Sequence, residues 1–130
     1  MGKQFQELEV WRKSSDFYIK LVSIIKDFPL YKKHCIIDQI MRATLSISNN
    51  IAEGSGRNSN KNLVYFLYLS FGSAKEVESM LLISRRLNYL REKDFNELNL
   101  ELIAIEKMLF SFIKSIYSSE TNFSKKDIQS

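Results

Sequence analysis

SISNNIAEGSGRNSNKNLVYFLYLSFG, from Ser46 to Gly72, changes character three times. Its first part is a helix-like run that reaches two asparagines near its end. An Ile-Ala-Glu step and a Gly-Ser-Gly-Arg segment follow, and the chain then restarts almost wholly apolar. Gly54 and Gly56 can take the positive φ that ends a helix. Ser59 or Asn60 can cap the next one by accepting a bond from an orphan amide of its first turn. The stretch therefore predicts two long helices joined by a tight turn.

Working outward, the same spacing recurs on both sides. Before the turn, from about Lys32, Ile37, Ile40, Thr44, Ile47 and Ile51 alternate at three and four, the seam of a bundle helix. After it, Leu63, Leu67, Ser70, Ala74, Val77 and Leu81 form the seam of a third helix, from about Asn60 to Tyr89. Small residues at Ser70 and Ala74, beside Gly72 and Ser73, allow a neighbour to approach closely. From about Lys93 to Ser118, Phe95, Leu98, Leu102, Ile105, Leu109, Phe112 and Ile116 keep the cleanest register. A first amphipathic helix runs from Val10 to Phe28, with Phe17, Leu21 and Ile24 between, and Phe28-Pro29 stops it.

Four long helices on short links make neighbours antiparallel, so the expected fold is all-α: an up-down-up-down four-helix bundle over residues 1–118, with both termini at one end. After Ser119 the apolar period is lost, and 119–130 reads as a polar, mobile tail.

One bundle does not use all of this apolar surface. Between Leu63 and Phe71 only Ser70 is polar, so Val64, Tyr65, Tyr68 and Phe71 are expected to face away from the seam. Ile103, Phe110, Ile113 and Tyr117 form a comparable stripe on the fourth helix. A helix apolar all round is normally buried all round, and full burial of each large side chain contributes ~1.5–3 kcal/mol. The surplus predicts a homo-oligomer.

Composition narrows the function classes. The 130 residues hold one proline and four glycines, too little turn punctuation for a sandwich or barrel. A lone Cys35, no charged-then-apolar leader and no apolar run near ~20 residues lead to the expectation of a cytoplasmic protein without membrane contact. Met1-Gly2 begins a myristoylation pattern that Gln6 breaks, and the sequon at Asn122 carries no weight without a leader. The only histidine, His34, adjoins Cys35, and adjacent helix positions point about 100° apart, poor geometry for a dyad or shared metal. No Glu-x-x-His or Cys-x-x-Cys pair occurs, and Gly54-Ser55-Gly56 lacks the rest of a phosphate loop. No catalytic residue, cofactor or metal is assigned, and an enzyme is not expected. Glu53, in the last turn of its helix, meets the negative end of the dipole and calls for compensation from Arg57 or Arg42.

The net charge of +4 permits attraction to phosphate polymers. Basic residues gather at helix ends: Arg57 and Lys61 around one turn, Arg85, Arg86 and Arg91 around the next. In a bundle these clusters lie at opposite ends, and a ring of copies repeats each into a band able to hold an RNA or DNA backbone without base specificity. The plainer reading is that arginines near a helix C-terminus complement its dipole.

Three stretches, LEVWRKSSDFYIKLV, IDQIMRATLSISNNIAEGSGRNSNKNLVYFL and FGSAKEVESMLLISRRLNYL, together resemble the bacterial four helix bundle proteins, the 23S ribosomal RNA intervening-sequence protein family. The most specific part is Asn50 to Arg57, with Glu53, Gly54, Ser55 and Gly56 in the turn. Ser48, Met41 and Thr44 stand where the family often has proline, arginine and alanine. The resemblance implies a homopentameric ring of antiparallel bundles. A related branch, the accessory proteins of diversity-generating retroelements, implies nucleic acid and a reverse transcriptase as partners; the rRNA-insert branch implies a ribosome-associated one. Two readings follow: a basic oligomeric scaffold that binds nucleic acid, or a protein-only assembly module that docks a partner protein.

Overall fold

The computed structural model describes residues 4–28 and 33–129, with side chains described for 4–28 and 36–120. Among the described residues, a 3-10 turn, Phe5–Glu7, leads into four α-helices: α1 (Glu9–Ile25), α2 (Lys33–Ser55), α3 (Asn60–Arg86) and α4 (Glu92–Gln129). The Pro29 helix stop and the side chains of His34, Cys35 and Asn122 lie outside the described residues.

Each helix buries the stripe its sequence spacing creates. On α1, Val10, Phe17, Leu21 and Ile25 are buried, and the gap at the remaining turn is filled by Ser14, whose hydroxyl donates to the Val10 carbonyl at 2.7 Å. Its last turn relaxes into i→i+3 bonds, from the Asp27 amide to Ile24 and from the Phe28 amide to Ile25. Phe28 is nevertheless buried, its ring 5.8 Å from that of Tyr89.

All five seam positions of α2, from Ile37 to Ile51, are buried. The pairing of α2 with α3 is close because the residues between them are small. Ser70 sits fully buried on α3 and donates across the interface to the Ile47 carbonyl at 2.7 Å. At the other end of the same pair, Gly54 lies against Leu63 and Phe66. Ala74 continues this line of small side chains, whereas Gly72 is exposed with open space around it and takes no part.

These contacts fix directions. Along α2·α3 the touching residues run 47 with 70 and 54 with 63 and 66. Along α3·α4, Phe71 meets Phe110, Lys75 meets Glu106 and Arg85 meets Glu92. Along α1·α4, Lys20 meets Glu97 and Glu101, while the Leu8–Val10 end meets Met108 and Phe112. Numbers rise on one helix as they fall on its partner, so each pair is antiparallel and the bundle alternates in direction. The central core is dry: Leu21, Ile40, Ile47, Leu67, Leu81, Leu98, Leu102 and Leu109 are fully buried.

Several expectations are corrected. Neither Gly54 nor Gly56 has positive φ. Gly54 is inside α2, where its missing Cβ admits α3, and the helix ends one residue later. The left-handed residue is Asn88 (φ 61°), just after α3. There the Tyr89 amide reaches the Ser84 carbonyl at 2.9 Å and the Asn88 amide reaches that of Arg85 at 3.0 Å, a Schellman closure that ends α3 at Arg86 rather than Tyr89. Ser59, not Asn60, is the N-cap of α3, accepting from the Asn62 amide at 3.1 Å. Val64 and Ile113 are buried and belong to the core, not to the outer stripes. Finally, α4 continues to Gln129. Loss of apolar period at Ser119 ends the packed seam, but the segment holds no proline or glycine to end the helical hydrogen bonding.

Candidate functional site

The turn motif from Asn50 to Arg57 is built as a joint. Ile51 is fully buried, and Asn50 is half-buried with its amide donating to the Ser46 carbonyl of its own helix at 2.8 Å, not to another segment. Ser55 likewise donates back to Ile51 at 2.8 Å. Glu53 pairs with Arg57 one helical turn on, as the unfavourable dipole position required. The same guanidinium lies 4.9 Å from the centre of the Phe66 ring, so Arg57 clamps the end of α2 to the first turns of α3. The amides of Gly56 and Arg57 return to the carbonyls of Glu53 and Gly54, which leaves them turned inward and not toward an anion.

The basic residues divide into engaged and free. Arg85 sits 4.6 Å from the Phe95 ring centre and 3.5 Å from Glu92. Arg91 donates to Asp94 at 3.1 Å. Lys61 and Arg86 make no ion pair among the described residues. They are 25 positions apart on α3, which at 3.6 residues per turn returns them to within about 20° of the same face. A helix of 27 residues is about 40 Å long, so Arg57 and Lys61 mark one end of the bundle and Arg85, Arg86 and Arg91 the other.

Between those ends lies the apolar surface. Tyr65, Tyr68, Phe110 and Tyr117 are each half or more exposed, at 59, 51, 54 and 50%. Phe71 is half-buried beneath them with its ring 6.4 Å from that of Phe110, so the outer stripes of α3 and α4 join into one aromatic face across their seam. Leu82 and Ile83, both 45% exposed, prolong α3's side of it toward Arg86, a continuation that the sequence reading missed.

One turn along the seam from the Phe71–Phe110 contact is a feature that reading also missed. Glu106 is a buried carboxyl on α4, with Glu78 and Lys75 of α3 beside it. Lys75 reaches Glu78 at 3.2 Å and Glu106 at 3.3 Å, and its ammonium stands 5.6 Å from the Phe71 ring centre. Burial, then the neighbouring Glu78, push the Glu106 carboxyl up to about 7 against the pull of Lys75. The signal was available: Glu106 occupies a core position of α4, four residues after Leu102.

No group of three or more His, Cys, Asp or Glu suited to a metal is present among the described residues. A shallow groove of 430 Å³ between α1 and α4 is lined by the apolar Leu8, Val10, Met108 and Phe112 together with Glu9, Lys107 and Ser111. No helix of the described residues is long and apolar enough to cross a membrane.

Comparison with known proteins agrees with this architecture. Residues 6–111 match the family model described as 23S rRNA-intervening sequence protein. A crystal structure of a protein of unknown function from the S23 ribosomal protein family of Bacteroides thetaiotaomicron superposes with a TM-score of 0.74 at 28% identity, covering 81% of this chain and 98% of that one. No curated protein matches.

Proposed function

This chain belongs to the 23S rRNA-intervening sequence protein family, and we propose that it is a non-enzymatic scaffold. Copies assemble, as a pentameric ring, through the α3–α4 aromatic face, and their basic helix ends hold the backbone of RNA or DNA. The observation that carries this reading is the exposed face of Tyr65, Tyr68, Phe110 and Tyr117 centred on the Phe71–Phe110 contact. Aromatic side chains gathered on one face mark an interface, since each loses hydration cost only when covered. Assembly about an axis then repeats Lys61 and Arg86, whose charges are not spent on ion pairs among the described residues, around each rim.

A second reading has its own support. Arg57, Arg85 and Arg91 are each engaged by a carboxylate, and Arg57 and Arg85 by a ring as well. Such arginines serve the fold, which favours a module that docks a partner protein, such as a reverse transcriptase or a ribosome-associated protein, without touching nucleic acid. Sedimentation of the purified chain, with and without a single-stranded RNA at graded salt, separates the readings. An oligomer whose RNA binding weakens steeply with salt supports the first. An oligomer indifferent to RNA supports the second, and a monomer at all concentrations overturns both.

A further inference from the structure

Among the described residues two buried side chains, Ser84 and Glu106, keep a polar atom without a hydrogen-bond partner, and of the two only Glu106 is ionisable. The residue is only 7% exposed, yet its Oε2 is buried with no hydrogen-bond partner, while Oε1 takes the Lys75 ammonium at 3.3 Å. The same ammonium reaches Glu78 Oε1 at 3.2 Å, which brings a second carboxyl alongside Glu106 across the seam. Two carboxylates cannot bond each other, and an orphaned buried carboxylate oxygen is costly. A single proton shared between the two carboxyls eases both difficulties, and Lys75 then faces one negative charge and not two.

We propose that Glu106 and Glu78 share one proton that locks α3 to α4, and that its loss to water loosens the seam beneath the aromatic face, making that seam a pH-responsive element.

The surroundings leave few competitors. From α3, the groups facing Glu106 are Lys75 and Glu78. The other helix packed on α4 is α1, and its Lys20 is directed to Glu97 and Glu101, while Lys13 and Asp16 border Glu101 and Ala104 on the far flank. Among the described residues no second cation reaches the pair, so Lys75 alone must balance both carboxylates once the proton is gone. Glu78 is shifted the opposite way, lowered by its neighbours Glu106 and Lys75. The inference concerns the seam of a single chain and does not depend on assembly.

The direction of the pH effect follows. A carboxyl that holds its proton more tightly when folded contributes stability that is full below its unfolded value, near 4.5, and is lost as pH rises through its folded value, near 7. The test is a carboxyl carbon NMR titration of the full chain, with Glu106 assigned through Glu106→Gln. A Glu106 midpoint near neutrality is expected, and a midpoint in the ordinary glutamate range overturns the proposal. In parallel, the urea midpoint of the wild type should fall between pH 5 and 7.5. In Glu106→Gln, whose amide still donates to Glu78, that fall should vanish; an unchanged fall overturns the proposal. Should Glu106→Gln fail to fold, Glu78→Gln substitutes for it: relieved of its like-charged neighbour, Glu106 should titrate at lower pH, and an unmoved midpoint argues against sharing.

Discussion

The backbone of Gly54 lies so close to Phe66 that a Cβ added to the glycine would stand 2.8 Å from the Cβ of the phenylalanine and 3.3 Å from the Leu63 carbonyl oxygen. Neither atom is the free end of a flexible side chain, so α2 and α3 must separate to accept one. Gly54→Ala is expected to destabilise the chain by about 1–3 kcal/mol, the usual cost of overpacking, despite the ~1 kcal/mol that alanine gains in a helix interior. Gly56→Ala is the matched control. Its Cβ would meet nothing nearer than 3.7 Å and its φ is not positive, so urea denaturation should place it within about 0.5 kcal/mol of wild type.

Ser70 is the second point of close approach. Ser70→Ala removes the bond to Ile47 but keeps the volume, and should cost about 1 kcal/mol. Ser70→Leu forces the helices apart and should cost more, about 1–3 kcal/mol or beyond. If the leucine were tolerated as well as the alanine, small size at this position would not be what sets the α2–α3 distance.

The aromatic face should be separable from the fold. Tyr68→Asp combined with Phe110→Asp alters side chains already half exposed, so helicity by circular dichroism is expected to stay unchanged while the sedimenting species falls toward the 15.3 kDa chain mass. Ile19→Asp alters a more exposed apolar residue on α1, away from that face, and should leave assembly intact. Loss of assembly in both would point to a general effect of added charge.

Among basic residues, those without an ion-pair partner among the described residues should matter most to nucleic acid. Lys61→Ala and Arg86→Ala are each expected to lower the slope of log affinity against log salt by about 0.7 for every single-strand phosphate that is no longer neutralised. Arg57→Ala should chiefly cost stability, since its guanidinium is committed to Glu53 and Phe66. Tighter dependence of binding on Arg57 than on Lys61 would reverse this ranking.

What the sequence determined by itself was periodic. The three-and-four spacing of Leu63 to Leu81 and of Phe95 to Ile116 names the buried stripes, because a helix turns about 100° per residue whatever it packs against. The Glu53–Arg57 pair and the Ser59 cap were each legible as one of two alternatives, because both join residues three or four apart along one chain. Tertiary structure decided what depends on distances between helices. That Gly54 is there for closeness and not for φ, that Val64 and Ile113 are buried, and that Glu106 is buried against Lys75 are facts about neighbours on other helices, far apart along the chain. No local period encodes such separations, since they arise only when antiparallel helices settle into register and dense packing selects which side chains share a gap.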